Sequence, residues 1–291
     1  MTYHITHRTL YEYAAPVTVS QHVTRLEPRS QGFQECERFS LKIFPEPTLR
    51  KTRPDYFGNR LCFFTIQEIH SQLEIITHSR VTVAARQLPG AETTPPWHHV
   101  AGLFRDPVSP EVLEPYQFVF DSPQIRVSFD LADYALASFS GDTPLLAGVA
   151  DLTRRIFTDF KYDPKATTVA TPLEEVWKHR RGVCQDFAHL GIGCLRSLGL
   201  PARYVSGYLR TRPPAGQPRL VGADASHAWF RVFCPGLGWV DFDPTNNVQP
   251  GEEHIIVAYG RDFDDVSPVA GILTGGGEHE VKVSVDVEEV C

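Results

Sequence analysis

Residues 181–200 read Arg181-Gly-Val-Cys184-Gln-Asp-Phe-Ala-His-Leu-Gly-Ile-Gly-Cys-Leu-Arg-Ser-Leu-Gly199-Leu200. Phe187, Leu190, Cys194, Leu195 and Leu198 recur at spacings of three and four, which predicts a helix with one apolar face. Gly199 followed by Pro201 is a C-terminal stop. The Gly182-Val183 turn therefore delivers Cys184 into the first turn of that helix, where unpaired backbone N–H groups and the helix dipole favour an anionic sulfur. Such a position suits a cysteine nucleophile. It suits a buried structural thiol equally, because free cysteine is among the most buried residue types. The stretch alone leaves both readings open, and a base with a group to orient it must come from elsewhere.

The 291-residue chain is long enough for one large domain or two ordinary ones. Hydrophobic residues make up 42% and charged residues 22%, the balance of a globular chain with a sizeable core. A formal charge of −7 gives no general electrostatic pull toward nucleic acid or anionic lipid. The N-terminus, Met-Thr-Tyr-His-Ile-Thr-His-Arg, has no apolar run and does not read as a secretory signal. No stretch approaches the ~20 apolar residues of a membrane helix. Six cysteines (36, 62, 184, 194, 234, 291) lie far apart with no Cys-x-x-Cys pair. Reduced thiols in a cytoplasm are the expectation.

Residues 1–88 read as an all-β module. Phe39, Leu41 and Ile43 alternate with Ser40 and Lys42; Leu73/Ile75 and Val81/Val83 keep the same period. Its histidines (4, 7, 22, 70, 78) fit strand positions better than a metal site, since no pair shares a face with a third ligand. The expected role of this module is to pack against a site elsewhere or help to wall it. Residues 89–124 are a proline-punctuated connector that cannot hold a long helix or a central strand. Residues 125–291 begin with helical runs, the first closed by Gly141 and the second started by Thr143-Pro144. Phe160-Lys-Tyr162-Asp-Pro164 is extended, because the residue before a proline avoids the α region.

Beyond the cysteine helix come strands. Ser226-His227-Ala-Trp229-Phe-Arg231-Val-Phe-Cys234 and Trp239-Val-Asp241-Phe-Asp243 are joined by Pro235-Gly-Leu-Gly238, which predicts an antiparallel hairpin. Strand alternation puts His227, Trp229 and Arg231 on one face of the first strand, and Trp239, Asp241 and Asp243 on one face of the second. His227 and Asp243 both lie toward the open end. A carboxylate at Asp243 is placed to accept Nδ1–H of His227, hold its tautomer and stabilise the imidazolium. Cys184 beside that hairpin completes a Cys–His–Asp arrangement. His189, five positions after Cys184 and ~140° around the helix, is expected to point away. Cys184, Cys194, His227 and Cys234 lack zinc-ligand spacing.

Gly182-Val-Cys-Gln-Asp-Phe-Ala188, Leu198-Gly-Leu-Pro-Ala-Arg-Tyr-Val-Ser-Gly207, His227-Ala-Trp and Asp243-Pro-Thr-Asn together resemble the core motifs of the transglutaminase-like superfamily. Tyr3-x-Ile-x-His-x-Thr-x-Tyr, Leu26-x-Pro-Arg29 and Asp55-x-Phe-Gly-Asn59 are similar to the β-rich N-terminal region of a bacterial subgroup. Gly260-Arg-Asp-Phe-Asp-Asp-Val-Ser-Pro268 and the Val281–Val287 alternation match that subgroup's C-terminal end. The resemblance implies an α+β fold with a papain-like core, a helix carrying the cysteine packed on an antiparallel sheet, and a bacterial cysteine-protease-like enzyme. Carried over by position, Cys184 is the nucleophile, His227 the general base and acid, and Asp243 the orienting carboxylate. Tyr162 matches an aromatic oxyanion donor of some members, although the segment between differs in length. The backbone N–H of Cys184 is the other oxyanion donor by analogy with thiol acyl-transfer sites.

These readings lead to acyl transfer on a protein or peptide substrate, with hydrolysis favoured because water is the default acceptor. A transglutaminase using an amine acceptor and a non-catalytic peptide-binding module on the same fold are the alternatives. No cofactor and no metal are expected. Asp262, Asp264 and Asp265 read as a solvated acidic turn rather than a cation site, since calcium takes about six to eight oxygen ligands.

Overall fold

The computed structural model describes residues 1–105, 109–211 and 225–290. Strand β1 (Thr2–Thr24) is the spine of the N-terminal part, followed by β2 (Gln34–Phe44), β3 (Leu49–Pro54), β4 (Arg60–Ile66) and β5 (His70–Val83). Their sheet order is β2-β5-β1-β4-β3, antiparallel throughout. Pro16 cannot donate to a ladder, and the register of β1 breaks between Glu12 and Val17. Residues 2–12 pair with β5, Val17 just after the break still faces His70 of β5, and Ser20–Thr24 pair with β4.

The connector contains two short helices, α1 (Trp97–Leu103) and α2 (Pro110–Tyr116). The core then runs α3 (Phe129–Leu136), α4 (Leu145–Asp159), β6 (Lys161–Tyr162), α5 (Leu173–His179), β7 (Arg181–Gly182) and α6 (Cys184–Ser197). It continues through β8 (Ala202–Leu209), β9 (Ala225–Cys234), β10 (Gly238–Phe242), β11 (His254–Gly260), α7 (Phe263–Val266), β12 (Val269–Gly275) and β13 (His279–Glu289). A four-stranded antiparallel sheet, ordered β10-β9-β8-β11, packs on α6. The fold is thus α+β, with the cysteine helix packed on an antiparallel sheet behind a β-rich N-terminal region.

Helix α6 departs from the amphipathic expectation. Every residue from Gln185 to Arg196 is buried, because the helix is covered by the sheet on one side and by α3, α4 and α5 on the other. Two glycines make this possible. A Cβ on Gly191 would stand 2.5 Å from the Phe230 ring, and one on Gly193 would stand 2.9 Å from Leu131. The polar residues of the helix are paired internally: Arg196 donates to the carbonyls of Ala202, Phe120 and Arg261. Gly199, at φ +75°, ends the helix as the sequence suggests.

The last two strands do not belong to the core sheet, although residues 125–291 read as one unit. β12 and β13 pair antiparallel with β1, along the edge opposite β4 and β5. A 23-residue central strand has two edges to satisfy, and the C-terminal hairpin covers the second. Chain ends and N-terminal region thereby form one seven-stranded sheet.

That sheet is joined to the core at β11, the outer strand of the core sheet. Gln34 donates Nε2–H to the Ile256 carbonyl at 2.8 Å and accepts from the Ile256 amide at 2.8 Å. Asn59 does the same for Tyr259, at 2.7 and 2.8 Å. Two carboxamides thus stand in for a neighbouring strand. Tyr3, Ile5, Val81, Val83, Val285 and Val287 of the N-terminal sheet share one hydrophobic core with α6 and the core sheet.

Candidate active site

The hairpin forms as its sequence predicts: Gly238 faces Cys234 and Phe242 faces Phe230. One diagonal step recurs on its polar face. Trp229 Nε1 donates to Asp241 Oδ1 at 2.8 Å, and two residues along, His227 Nε2 stands 2.8 Å from Asp243 Oδ2. Strand parity makes both pairs, of which the sequence points to His227–Asp243. The nitrogen differs. Asp243 lies just past the end of the ladder, where the distal ring nitrogen Nε2 reaches it and Nδ1 does not. Cys184 is the other side chain that acts on this ring by hydrogen bonding and charge.

Asp243 is fully buried and saturated with donors. Its Oδ1 accepts from the amides of Thr245 and Asn246 at 2.9 and 3.2 Å. Its Oδ2 accepts from His227, from Asn246 Nδ2 at 2.7 Å, and from His254 Nε2 at 3.2 Å. Burial opposes ionisation of this carboxyl, but hydrogen bonds from His227 and His254, the His227 charge and Asn246 outweigh it and hold the group well below the ordinary range. His227 is the mirror case. Burial disfavours its charge, yet hydrogen bonding and charge from Asp243 and Cys184 raise its proton affinity well above that of a free imidazole.

Cys184 opens α6 behind an extended Val183. Val183 has no side-chain acceptor, so the start of the helix is held from within: Asp186 Oδ2 accepts from the Val183 amide at 2.8 Å and from Thr167 Oγ1 at 2.6 Å. Burial pushes the Asp186 carboxyl up, with those two bonds acting against it. Gly182 is required here, because a Cβ would meet Asp186 at 2.6 Å. Cys184 itself is partly exposed, whereas Cys62, Cys194 and Cys234 are buried. Of the residues weighed for zinc, Cys194 and Cys234 are sealed in the core.

Tyr162 lies in β6, which pairs parallel with β7 and sets Tyr162 against Gly182. It is 52% exposed, and burial and then the neighbouring Cys184 push its phenol up. Tyr204 of β8 is buried on the other side, its phenol raised well above the usual value by burial and then by Cys184, Asp186 and Asp262. His189 points away, as its helical phase requires: its Nε2 accepts from the Phe263 amide at 3.1 Å, and burial lowers it to about 3.

The acidic turn is not solvated as expected. Asp262 is fully buried and caps α7, accepting from the Asp264 amide at 3.0 Å and the Gln124 amide at 2.9 Å. Asp265 pairs with Arg261 at 2.8 Å. Both carboxylates are engaged within the protein.

Sequence reasoning missed His254, Asn246 as a donor to Asp243, and Tyr204. His254 stands alone at the head of a strand, eleven positions from Asp243, with no spacing to mark it. Donor atoms of His227, Asp243 and His254 lie within 4.8 Å of one another. Both rings are directed at one carboxylate oxygen, so hydrogen bonding accounts for the cluster.

Comparison with known proteins agrees with this architecture. Residues 3–82 match the bacterial transglutaminase-like N-terminal region, and residues 133–244 match the transglutaminase-like superfamily. An uncharacterized protein of Mycobacterium tuberculosis is 40% identical over 290 residues, covering 98% of this chain and 92% of its own. A protein-glutamine gamma-glutamyltransferase of Pseudomonas aeruginosa is 33% identical over 107 residues, which cover 34% of this chain and 16% of that enzyme. The crystal structure of a candidate cysteine protease from Cytophaga hutchinsonii superposes with a TM-score of 0.75 at 21% identity, covering 100% of this chain and 92% of that one. With the motifs, both halves of the fold and a full-length relative in agreement, this chain belongs to the transglutaminase-like superfamily, in the form that carries the bacterial N-terminal region.

Proposed function

We propose that the protein is a cysteine-dependent acyl-transfer enzyme acting on peptide or amide bonds. The observation that carries this reading is the position of His227, between a helix-start cysteine and a carboxylate that its surroundings keep ionised. In this reading His227 takes the Cys184 proton and the sulfur adds to the substrate carbonyl. The backbone N–H of Cys184 and the Tyr162 hydroxyl receive the developing oxyanion. His227 then protonates the leaving amine, the C–N bond breaks and a thioester remains. Water, deprotonated by His227, adds to the thioester and releases a carboxylic acid and the free thiol. Asp243 remains an anion throughout and fixes the ring through Nε2.

Amine attack on the same thioester would make the protein a transglutaminase. The similarity of 107 residues to a protein-glutamine gamma-glutamyltransferase favours this second reading. Hydrolysis is the first choice, because water needs no acceptor site. A protein or peptide substrate in the cytoplasm fits the five described cysteines, all of them free.

Iodoacetamide labelling near neutral pH provides the first test. Cys36 is the comparator, partly exposed and pushed up to about 11, chiefly by burial. Cys184 should be alkylated far faster than Cys36, and His227→Ala should abolish the difference. Equal rates would defeat the reading. Peptide turnover by the wild type and by Cys184→Ala, with and without added amine, then separates hydrolase, transferase and binding module.

A further inference from the structure

A cavity of about 680 Å³ lies between the N-terminal sheet and the core. Its floor is one face of the β1–β13 ribbon, built from three directly opposed pairs: His7 with Val285, Thr9 with Val283, and Tyr11 with Val281. Phe263 of α7 and the Ser267–Val269 segment stand against that floor. Two further lining residues adjoin the reacting groups. Ser226 directly precedes His227 in β9, and the Val169 carbonyl accepts from Gln185, the residue after Cys184, at 3.3 Å. The described lining thus holds the chain neighbour of His227 and a hydrogen-bond partner of the residue that follows Cys184.

Its chemistry is one-sided. Among the described residues that line it there is no Asp, Glu, Lys or Arg. The polar groups of the floor are paired with each other and with the core: His7 Nδ1 meets Tyr208 Oη at 3.0 Å, and His7 Nε2 meets Thr9 Oγ1 at 3.0 Å. Burial lowers His7 to about 4, so this ring is uncharged at neutral pH. Among the described lining residues the only other imidazole is that of His279 at the end of the floor and there is no fixed charge, so a charged group entering would lose its water with little compensation. By contrast, Val281 and Val283 stand 44% and 55% exposed at this wall, apolar surface that a ligand would cover. The volume lies within the range of about 300–1,000 Å³ typical of ligand sites, room for more than one side chain.

We propose that this cavity receives an uncharged, apolar segment of the acyl-donor peptide beside the carbonyl that Cys184 attacks, and so selects substrates with aliphatic or aromatic side chains there. The inference rests on the acyl-transfer reading and deepens it. It also assigns a task to the N-terminal region and the C-terminal strand: together they supply the substrate-facing floor of a site whose reacting groups sit in the core.

The test uses dipeptidyl chloromethyl ketones that carry Leu or Phe, or else Asp or Lys, at either position before the reactive ketone. Alkylation of Cys184 is followed by intact-protein mass spectrometry. The apolar probes should react roughly tenfold or more faster than the charged ones. Val283→Asp should erase that preference or turn it toward Lys. Ile272→Asp, at a β12 position that is 73% exposed and outside the cavity lining, should keep it. Iodoacetamide, which has no side chain to place, is run in parallel. If it fails to single out Cys184, the acyl-transfer reading falls and the cavity assignment with it. If Cys184 is labelled selectively but probe rates ignore the side chain or the Val283 substitution, the cavity assignment alone is overturned.

Discussion

Asn59 closes both backbone hydrogen-bonding groups of Tyr259, donating to its carbonyl at 2.7 Å and accepting from its amide at 2.8 Å. The same amide side chain accepts from Arg29 at 2.6 Å and donates to Asp55 at 2.9 Å. One residue of the N-terminal sheet thus caps the outer strand of the core, the strand that begins with His254. Asn59→Leu keeps the volume and leaves two buried backbone groups unpaired, a cost of roughly 2–5 kcal/mol. The urea midpoint should fall accordingly. A midpoint equal to that of the wild type would mean that Tyr259 does not depend on the clamp.

His227 and Asp243 should produce opposite pH dependences. The folded pKa of His227 is raised, so its contribution to stability is complete below the unfolded value of about 6.5 and fades as pH rises through the higher folded value. The folded pKa of Asp243 is depressed, so its contribution is complete above about 3.9 and fades as pH falls. Asp243→Asn removes the charge that helps hold the His227 proton. In that variant the alkaline limb of turnover should move to lower pH, with a rate loss of about 10²–10⁴-fold. An alkaline limb at one pH in both proteins would show that Asp243 does not tune the ring.

The placement of the proposed reacting residues was legible because their neighbours carry strong local signals. A helix stop at Gly199, a four-residue hairpin connection and strand parity are enough to bring His227 and Asp243 to one face and Cys184 to a helix start. The ring nitrogen was misassigned because the register past the last ladder pair decides it, and register is a tertiary property. His254 and the Gln34 and Asn59 clamps were invisible for a related reason. Their partners are a carboxylate across the sheet and bare backbone groups, neither of which leaves a periodic trace. The all-round burial of α6 was hidden by Gly191 and Gly193, which count as neutral in an apolar pattern yet admit Phe230 and Leu131 into contact. Pairing of β13 with β1, some 280 positions apart, lies beyond any window of local reading.

Gly182 offers a steric test of how the cysteine turn is held. An added Cβ would sit 2.6 Å from Asp186 Oδ2 and 2.8 Å from its Cβ, so Gly182→Ala must displace the side chain that caps the Val183 amide. The expected loss is about 1–3 kcal/mol, with slower alkylation of Cys184. Adding Asp186→Gly removes every obstructing atom, and the double variant should be more stable than the sum of the single effects predicts. Strict additivity in denaturant titrations would remove this contact as the reason for the glycine.

His254 shares the Asp243 oxygen with His227, and its buried Nδ1 has no hydrogen-bond partner among the described residues. A buried ring held with one nitrogen unpaired is retained for what the other nitrogen does. Its hydrogen bond is among the causes that keep Asp243 ionised. Removing it in His254→Ala should let Asp243 take up a proton at higher pH, so the acid limb of turnover moves upward. The rate should fall roughly 3–30-fold, as expected for one lost bond to a charged group. His254→Gln, which can place an amide donor toward the same oxygen, should restore much of the wild-type profile. The Trp229 ring packs edge-on against His254 with centroids 5.3 Å apart, so loss of packing is the competing explanation. His254→Phe separates the two, because it fills the space without a donor. If His254→Phe recovers the wild-type acid limb and His254→Gln does not, His254 supports Trp229 rather than Asp243.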